Sequence, residues 1–169
     1  VIEISAINSL YNLIFAKDEV FSLNSLQFSK FIKLDWDKRW YYTMKDRSSV
    51  AFRLTSGVAI PYGRDKVVPY IRKFFMGGPQ GMRGWAIREL GPGATKPSQE
   101  QNEFAFFSAG DIKLEANAEY RTDLFWRFKW AWFFDIGNVW LWPQSEGTPE
   151  AKFSKDFLNQ IAFNTGVGL

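Results

Sequence analysis

The sequence predicts an all-β fold, an antiparallel transmembrane β-barrel of which about five to six strands are present. Three observations point there. Apolar and charged residues alternate with period two along most of the chain. All seven prolines fall outside the alternating runs or at their ends, as expected of a residue that cannot donate to a ladder. The connections between runs are short and long by turns, as in outer-membrane barrels, whose turns are tight on one side of the membrane and long on the other.

The elements follow in order. Residues 1–15 read as a strand with a bulge, because Ile2 and Ile4 alternate with Glu3 and Ser5 before the phase shifts near Ile7; a short amphipathic helix is the alternative. In 28–42, Phe28, Ile32, Leu34, Trp36, Trp40 and Tyr42 share one side with Lys30 and Lys38, and Lys33, Asp35, Asp37 and Arg39 the other. In 50–60, Val50, Phe52, Leu54, Val58 and Ile60 oppose Ala51, Arg53, Thr55 and Gly57. Residues 111–121 set Ile112, Leu114, Ala116, Ala118 and Tyr120 against Asp111, Lys113, Glu115, Asn117, Glu119 and Arg121. In 127–140, Phe128, Trp130, Trp132, Phe134, Ile136 and Trp140 face one way, and Arg127, Lys129, Ala131, Phe133, Asp135 and Gly137 the other. A last run has Ile161, Phe163, Thr165, Val167 and Leu169 in phase. Gaps 43–49 and 122–126 are short; 16–27, 62–109 and 141–159 are long.

Composition narrows the function. The 169 residues contain no Cys and no His. That excludes thiol and His-based catalysis and the usual zinc and haem sites, and no cofactor or metal is implied. Net charge is only +3, without the basic stripe of a nucleic-acid binder. Aromatics make up 18% of the chain, and a soluble sheet would have to cover such a face with helices or a second sheet. No segment sustains helical periodicity, and the opposite faces are too charged for a packed core. Lipid outside and water inside accommodate both faces. Aromatics near run ends (Trp40, Tyr41 and Tyr42; Phe125 and Trp126; Trp140 and Trp142) suit the membrane interface. The chain starts and stops in strand-like sequence, so the expectation is one barrel domain, 1–169, cut from a longer protein.

The 62–109 connection is 48 residues long, far beyond an ordinary loop. Its centre reads Phe74-Phe75-Met76-Gly77-Gly78-Pro79-Gln80-Gly81-Met82-Arg83-Gly84-Trp85, with buried aromatics expected beside the glycines and 96–102 expected to be solvated. The inward carboxylates Asp35, Asp37, Glu115, Glu119 and Asp135 interleave with Lys33, Arg39, Lys113, Arg121 and Lys129, which favours a salt-bridged wall over acid–base catalysis.

The loop centre resembles the sixth outer loop of the BamA/TamA superfamily of outer-membrane assembly factors, the bacterial surface antigen family. Its Gly-Gly and Val/Ile-Arg-Gly-Phe/Tyr elements are matched by Gly77-Gly78 and Met82-Arg83-Gly84-Trp85. Met and Trp depart from the pattern but keep residue class. Two further motifs match in order, Gly110-Asp111 through Glu119-Tyr120 and Phe133-Phe134-Asp135-Ile136-Gly137-Asn138-Val139-Trp140. Pro61-Tyr62-Gly63 and Leu90-Gly91-Pro92-Gly93 are most similar to the Bacteroidetes branch. The resemblance implies a sixteen-stranded barrel preceded by periplasmic POTRA domains, of which this chain holds roughly strands nine to fourteen. It implies no enzyme. It implies an outer-membrane protein that helps unfolded β-barrel clients fold and insert, in contact with lipid and with periplasmic or lipoprotein assembly subunits. It also implies that the loop enters the lumen, where Arg83 pairs with Asp135, with Glu119 nearby and Phe133 against the guanidinium. The alternatives are a two-partner-secretion exporter of the same superfamily, a porin-like channel and a soluble ligand-binding β-domain.

Overall fold

A computed structural model describes residues 2–4, 22–23, 26–27, 30–44, 47–62, 67–95, 108–125 and 128–169. Six strands form one antiparallel sheet in the order β1 (Ile2–Ile4), β4 (Lys30–Thr43), β5 (Ser48–Tyr62), β6 (Ile112–Asp123), β7 (Lys129–Trp140) and β8 (Ala162–Gly168). A small hairpin of β2 (Ser22–Leu23) and β3 (Leu26–Gln27) lies in the 16–27 connection. Ile2–Ile4 pairs with β4; the expected bulge near Ile7, Phe28, Gly63, 96–102 and Trp126 lie outside the described residues.

Alternation dictates the two faces. Ile32, Leu34, Trp36, Phe52, Leu54, Trp132 and Phe134, with Phe163 and Val167 of β8, stand exposed on the outer face. The pairing carries this parity from strand to strand, with Trp36 opposite Ser56 and Phe134 opposite Thr165. Even the polar Thr165 on that face is satisfied: its hydroxyl accepts from the Trp132 indole N–H at 2.9 Å and donates to the Phe133 carbonyl at 2.7 Å. Unpaired polar atoms are costly in an apolar solvent, so this pairing suits a lipid-facing surface.

Pro61 lies inside β5, opposite Phe31. The Ala59 N–H donates to Asp111 O, on the β6 side. Two residues on, the Pro61 nitrogen points the same way, beyond the last β5–β6 pair at Val58 and Ile112. Its missing donor therefore costs no ladder bond.

The inner face is covered at one end by the long loop. Phe31, Ala59 and Val139 of the wall and Val68, Phe74, Met76 and Met82 of the loop make one buried cluster, with Trp85, Leu90 and Ala162 packed against it. The Phe74 ring lies on Gly57, where a Cβ would sit 2.4 Å from the ring. The loop thus brings its own apolar core into the arc.

Trp140 corrects the sequence reading. Parity puts it on the outer face at a strand end, yet it is completely buried. The 141–161 connection folds back, setting Phe153 and Phe157 edge-on to the indole at 5.5 and 6.0 Å, while the indole N–H donates to Gln160 Oε1 at 2.6 Å. A second departure is Tyr41. It shares the inward row with Glu119 and Phe133, and so is not part of an outer aromatic belt.

Candidate functional site in the long loop

The tip of the loop, residues 78–85, is a closed turn. The Gly78 N–H donates to Trp85 O at 2.8 Å, Gly81 N–H to Gly78 O and Trp85 N–H to Met82 O. Gly77 has φ +107°, and a Cβ there would lie 2.1 Å from Ala86 O. Only glycine fits both the conformation and the approach. Gly78 likewise has φ +95°.

From this turn Arg83 projects onto the wall. Its Nε and Nη2 donate to the two oxygens of Asp135 at 2.9 and 2.7 Å, its backbone N–H donates to Oδ2 at 3.2 Å, and Nη1 donates to Glu119 Oε2 at 2.6 Å. The guanidinium carbon lies 3.8 Å from the centre of the Phe133 ring. A planar, permanently charged fork can make two carboxylate contacts and one ring contact together; a lysine could not. The Phe133 ring itself needs Gly166, where a Cβ would meet it at 2.6 Å. Asp135 is fully buried, and Asn117 Nδ2 and Asn164 Nδ2 also donate to it at 3.0 and 3.4 Å. Buried charge is tolerable only when paired and hydrogen-bonded, and Asp135 has both.

The structure thus brings together Arg83, Asp135, Glu119 and Phe133. Met82 is fully buried and Trp85 packs against the loop core. Gly84 lies on Asn164, where a Cβ would come within 2.9 Å. Of the expected wall pairs, Lys113 meets Glu115 at 2.7 Å, Arg121 meets Glu119 at 2.5 Å and Arg39 meets Asp37 at 3.1 Å. Lys33 departs: it donates to Arg72 O at 3.0 Å and lies over Phe74. Lys129 faces Asp123 at 3.9 Å on an exposed rim.

Sequence reasoning missed Asn164 and three further participants. Arg53 donates to Asp37 at 2.7 Å and to Gln80 O at 2.6 Å, and lies 3.5 Å from Glu115. Asn117 donates to Gly81 O at 3.1 Å. Asp111, fully buried, is the third. It sits 3.3 Å from Lys73 and accepts from Trp142 N–H and Ser145 Oγ at 2.9 and 3.0 Å, tying the root of the long loop to the 141–161 connection. Parity had placed Arg53 and Asn117 inward; only cross-strand register puts them beneath the tip. Asp111→Asn should cost about 3 kcal/mol, because Lys73 would keep its position and lose its counter-charge. Denaturant unfolding of the full-length protein checks this.

The Omp85 superfamily domain matches residues 21–169. The chain belongs to the Omp85 superfamily. Among solved structures, the crystal structure of BamA from Haemophilus ducreyi lacking POTRA domains 1–3 is similar in fold, with a TM-score of 0.62 and 19% identity over 86% of this chain. The match covers 29% of that protein's chain, so the present chain spans under a third of its length. A search of curated proteins finds no match. Membership in Omp85, a non-enzymatic family of outer-membrane assembly and transport proteins, makes the sheet an arc of an outer-membrane β-barrel. The bare apolar face suits lipid, and the charged face that carries the loop is the opposite face of the arc.

Proposed function

We propose that this Omp85 protein assists the folding and insertion of other β-barrel proteins into the outer membrane. In this reading residues 1–169 belong to a single barrel domain, and 62–109 is an outer loop whose tip Arg83 holds inside the lumen. Its partners are outer-membrane lipid, unfolded β-barrel chains, and periplasmic or lipoprotein assembly subunits. The observation that carries the reading is the lumenal lock itself: a loop arginine shared between Asp135 and Glu119 and stacked on Phe133. A loop held so firmly serves a barrel whose wall must stay ordered while unpaired strand edges elsewhere template new strands. The loop core also packs onto the described inner face at one end, which favours an assembly device over an open pore.

Depletion of the full-length protein in its own cell should lower the outer-membrane content of several unrelated barrel proteins, measured by quantitative proteomics of the outer-membrane fraction. Loss of a single secreted protein, with other barrels unchanged, would instead identify a dedicated exporter. Ion conductance as the sole consequence would identify a channel.

A further inference from the structure

The lumen wall is organised in transverse rows of paired residues. One row runs Arg39, Arg53, Asn117, Asp135 and Asn164, each the direct cross-strand partner of the next from β4 to β8. Four residues of the loop tip, Gln80, Gly81, Arg83 and Gly84, meet that row in order. Gln80 O accepts from Arg53 on β5. Gly81 O accepts from Asn117 on β6. Arg83 binds Asp135 on β7 through both backbone and side chain. Gly84 lies against Asn164 on β8. Neighbouring strands are about 4.8 Å apart, so β5 to β8 spans about 14 Å. The tip is turned rather than extended, with the Gly81 N–H on Gly78 O and the Trp85 N–H on Met82 O, so the side chains of Arg53, Asn117 and Arg83 complete the reach.

We infer that the loop tip is a crossbar laid across four strands, and that Arg53 and Asn117 are positioning residues that grip it at points other than Arg83. The polarity of the grip is reciprocal. At Arg83 the loop donates to the wall. At Arg53 and Asn117 the wall donates to loop carbonyls. Arg53 is in turn oriented by Asp37 of β4 and lies beside the buried Glu115 of β6, so the brace is tied into one more strand. These contacts extend the tip's attachment to β5, beyond the β6 and β7 that Arg83 reaches through Glu119 and Asp135. The inference rests on the lumenal lock proposed above and extends it to the β4–β5 side of the arc.

The test is amide hydrogen exchange of the full-length protein in lipid nanodiscs, read over residues 78–85 and over the strands. Arg53→Met and Asn117→Leu should each speed exchange of the tip by about tenfold. Arg53→Lys, which keeps a donor but not the fork, should fall between Arg53→Met and wild type. Exchange in β5 and β6 should stay as in wild type, a result that a general loss of stability would not give. Tip exchange within about twofold of wild type in both variants would overturn the crossbar, as would a parallel rise in the strands. Should Arg53→Met fail to fold, Asn117→Leu carries the same expectation and the same refutation, and Arg53→Lys should still exchange faster than wild type. Arg83→Ala separates the two readings. If it frees the tip while Arg53→Met and Asn117→Leu do not, the lock stands and the crossbar falls; if it leaves the tip protected, the lock itself falls.

Discussion

Asp135→Ala should release the loop tip and destabilise the barrel by about 3–5 kcal/mol, the range for breaking a buried ion pair from one side. Asp135 is fully buried and accepts from Arg83, Asn117 and Asn164. Removing it leaves the Arg83 guanidinium over Phe133 with only Glu119, which Arg121 already engages. The Asn117 amide also loses an acceptor. Asp135→Asn should be milder, because its carbonyl oxygen still accepts from Arg83 while the second oxygen is replaced by a donor. Denaturant unfolding of the full-length protein gives the stability change, and protease cleavage near Gly81 reports release of the tip. Since the pair is shielded from solvent, raising salt should do little to the wild type.

Trp140→Ala should have an effect of similar size, about 3–5 kcal/mol, because it empties the site of a large buried ring. The consequences should be local and different. Phe153 and Phe157 are stacked on each other at 5.0 Å and both stand edge-on to Trp140, so removal of the indole undermines the 141–161 connection from below. Protease added to intact cells should then cut within 141–161 while the strands remain protected. Trp140→Phe keeps a ring and loses the hydrogen bond to Gln160, at a cost of about 1 kcal/mol. Cleavage unchanged from wild type in Trp140→Ala would contradict the placement of that connection.

The strands were legible because a two-residue period survives in a single sequence. Lys30–Thr43, Ser48–Tyr62, Ile112–Asp123 and Lys129–Trp140 fall where alternation places them. The partners of Arg83 were legible only through the family motif, since nothing in the spacing of residues 83, 119 and 135 joins a loop to two strands. Arg53, Asn117 and Asn164 escaped because their meaning lies in register. Each is an ordinary inward polar residue until pairing sets it in one row with Asp135. Trp140 was misread for a related reason. Parity states which way a side chain leaves the sheet, but says nothing of a connection that later folds over it. Asp111 likewise gains its role from Lys73 and Ser145, both distant in sequence.

The most direct measurement is disulfide formation between Gly84→Cys and Asn164→Cys in the full-length protein, assembled in its own outer membrane and treated with a mild oxidant. A Cβ on Gly84 would lie 2.9 Å from that of Asn164, and a shift of about 1 Å brings the pair to disulfide geometry. Mass spectrometry should recover the peptide linked through positions 84 and 164 as the dominant species. The pairing of Gly84→Cys with Thr165→Cys, whose side chain faces lipid, should give none. Absence of the 84–164 link, or equal linking to position 165, would contradict a loop tip docked across the lumen wall.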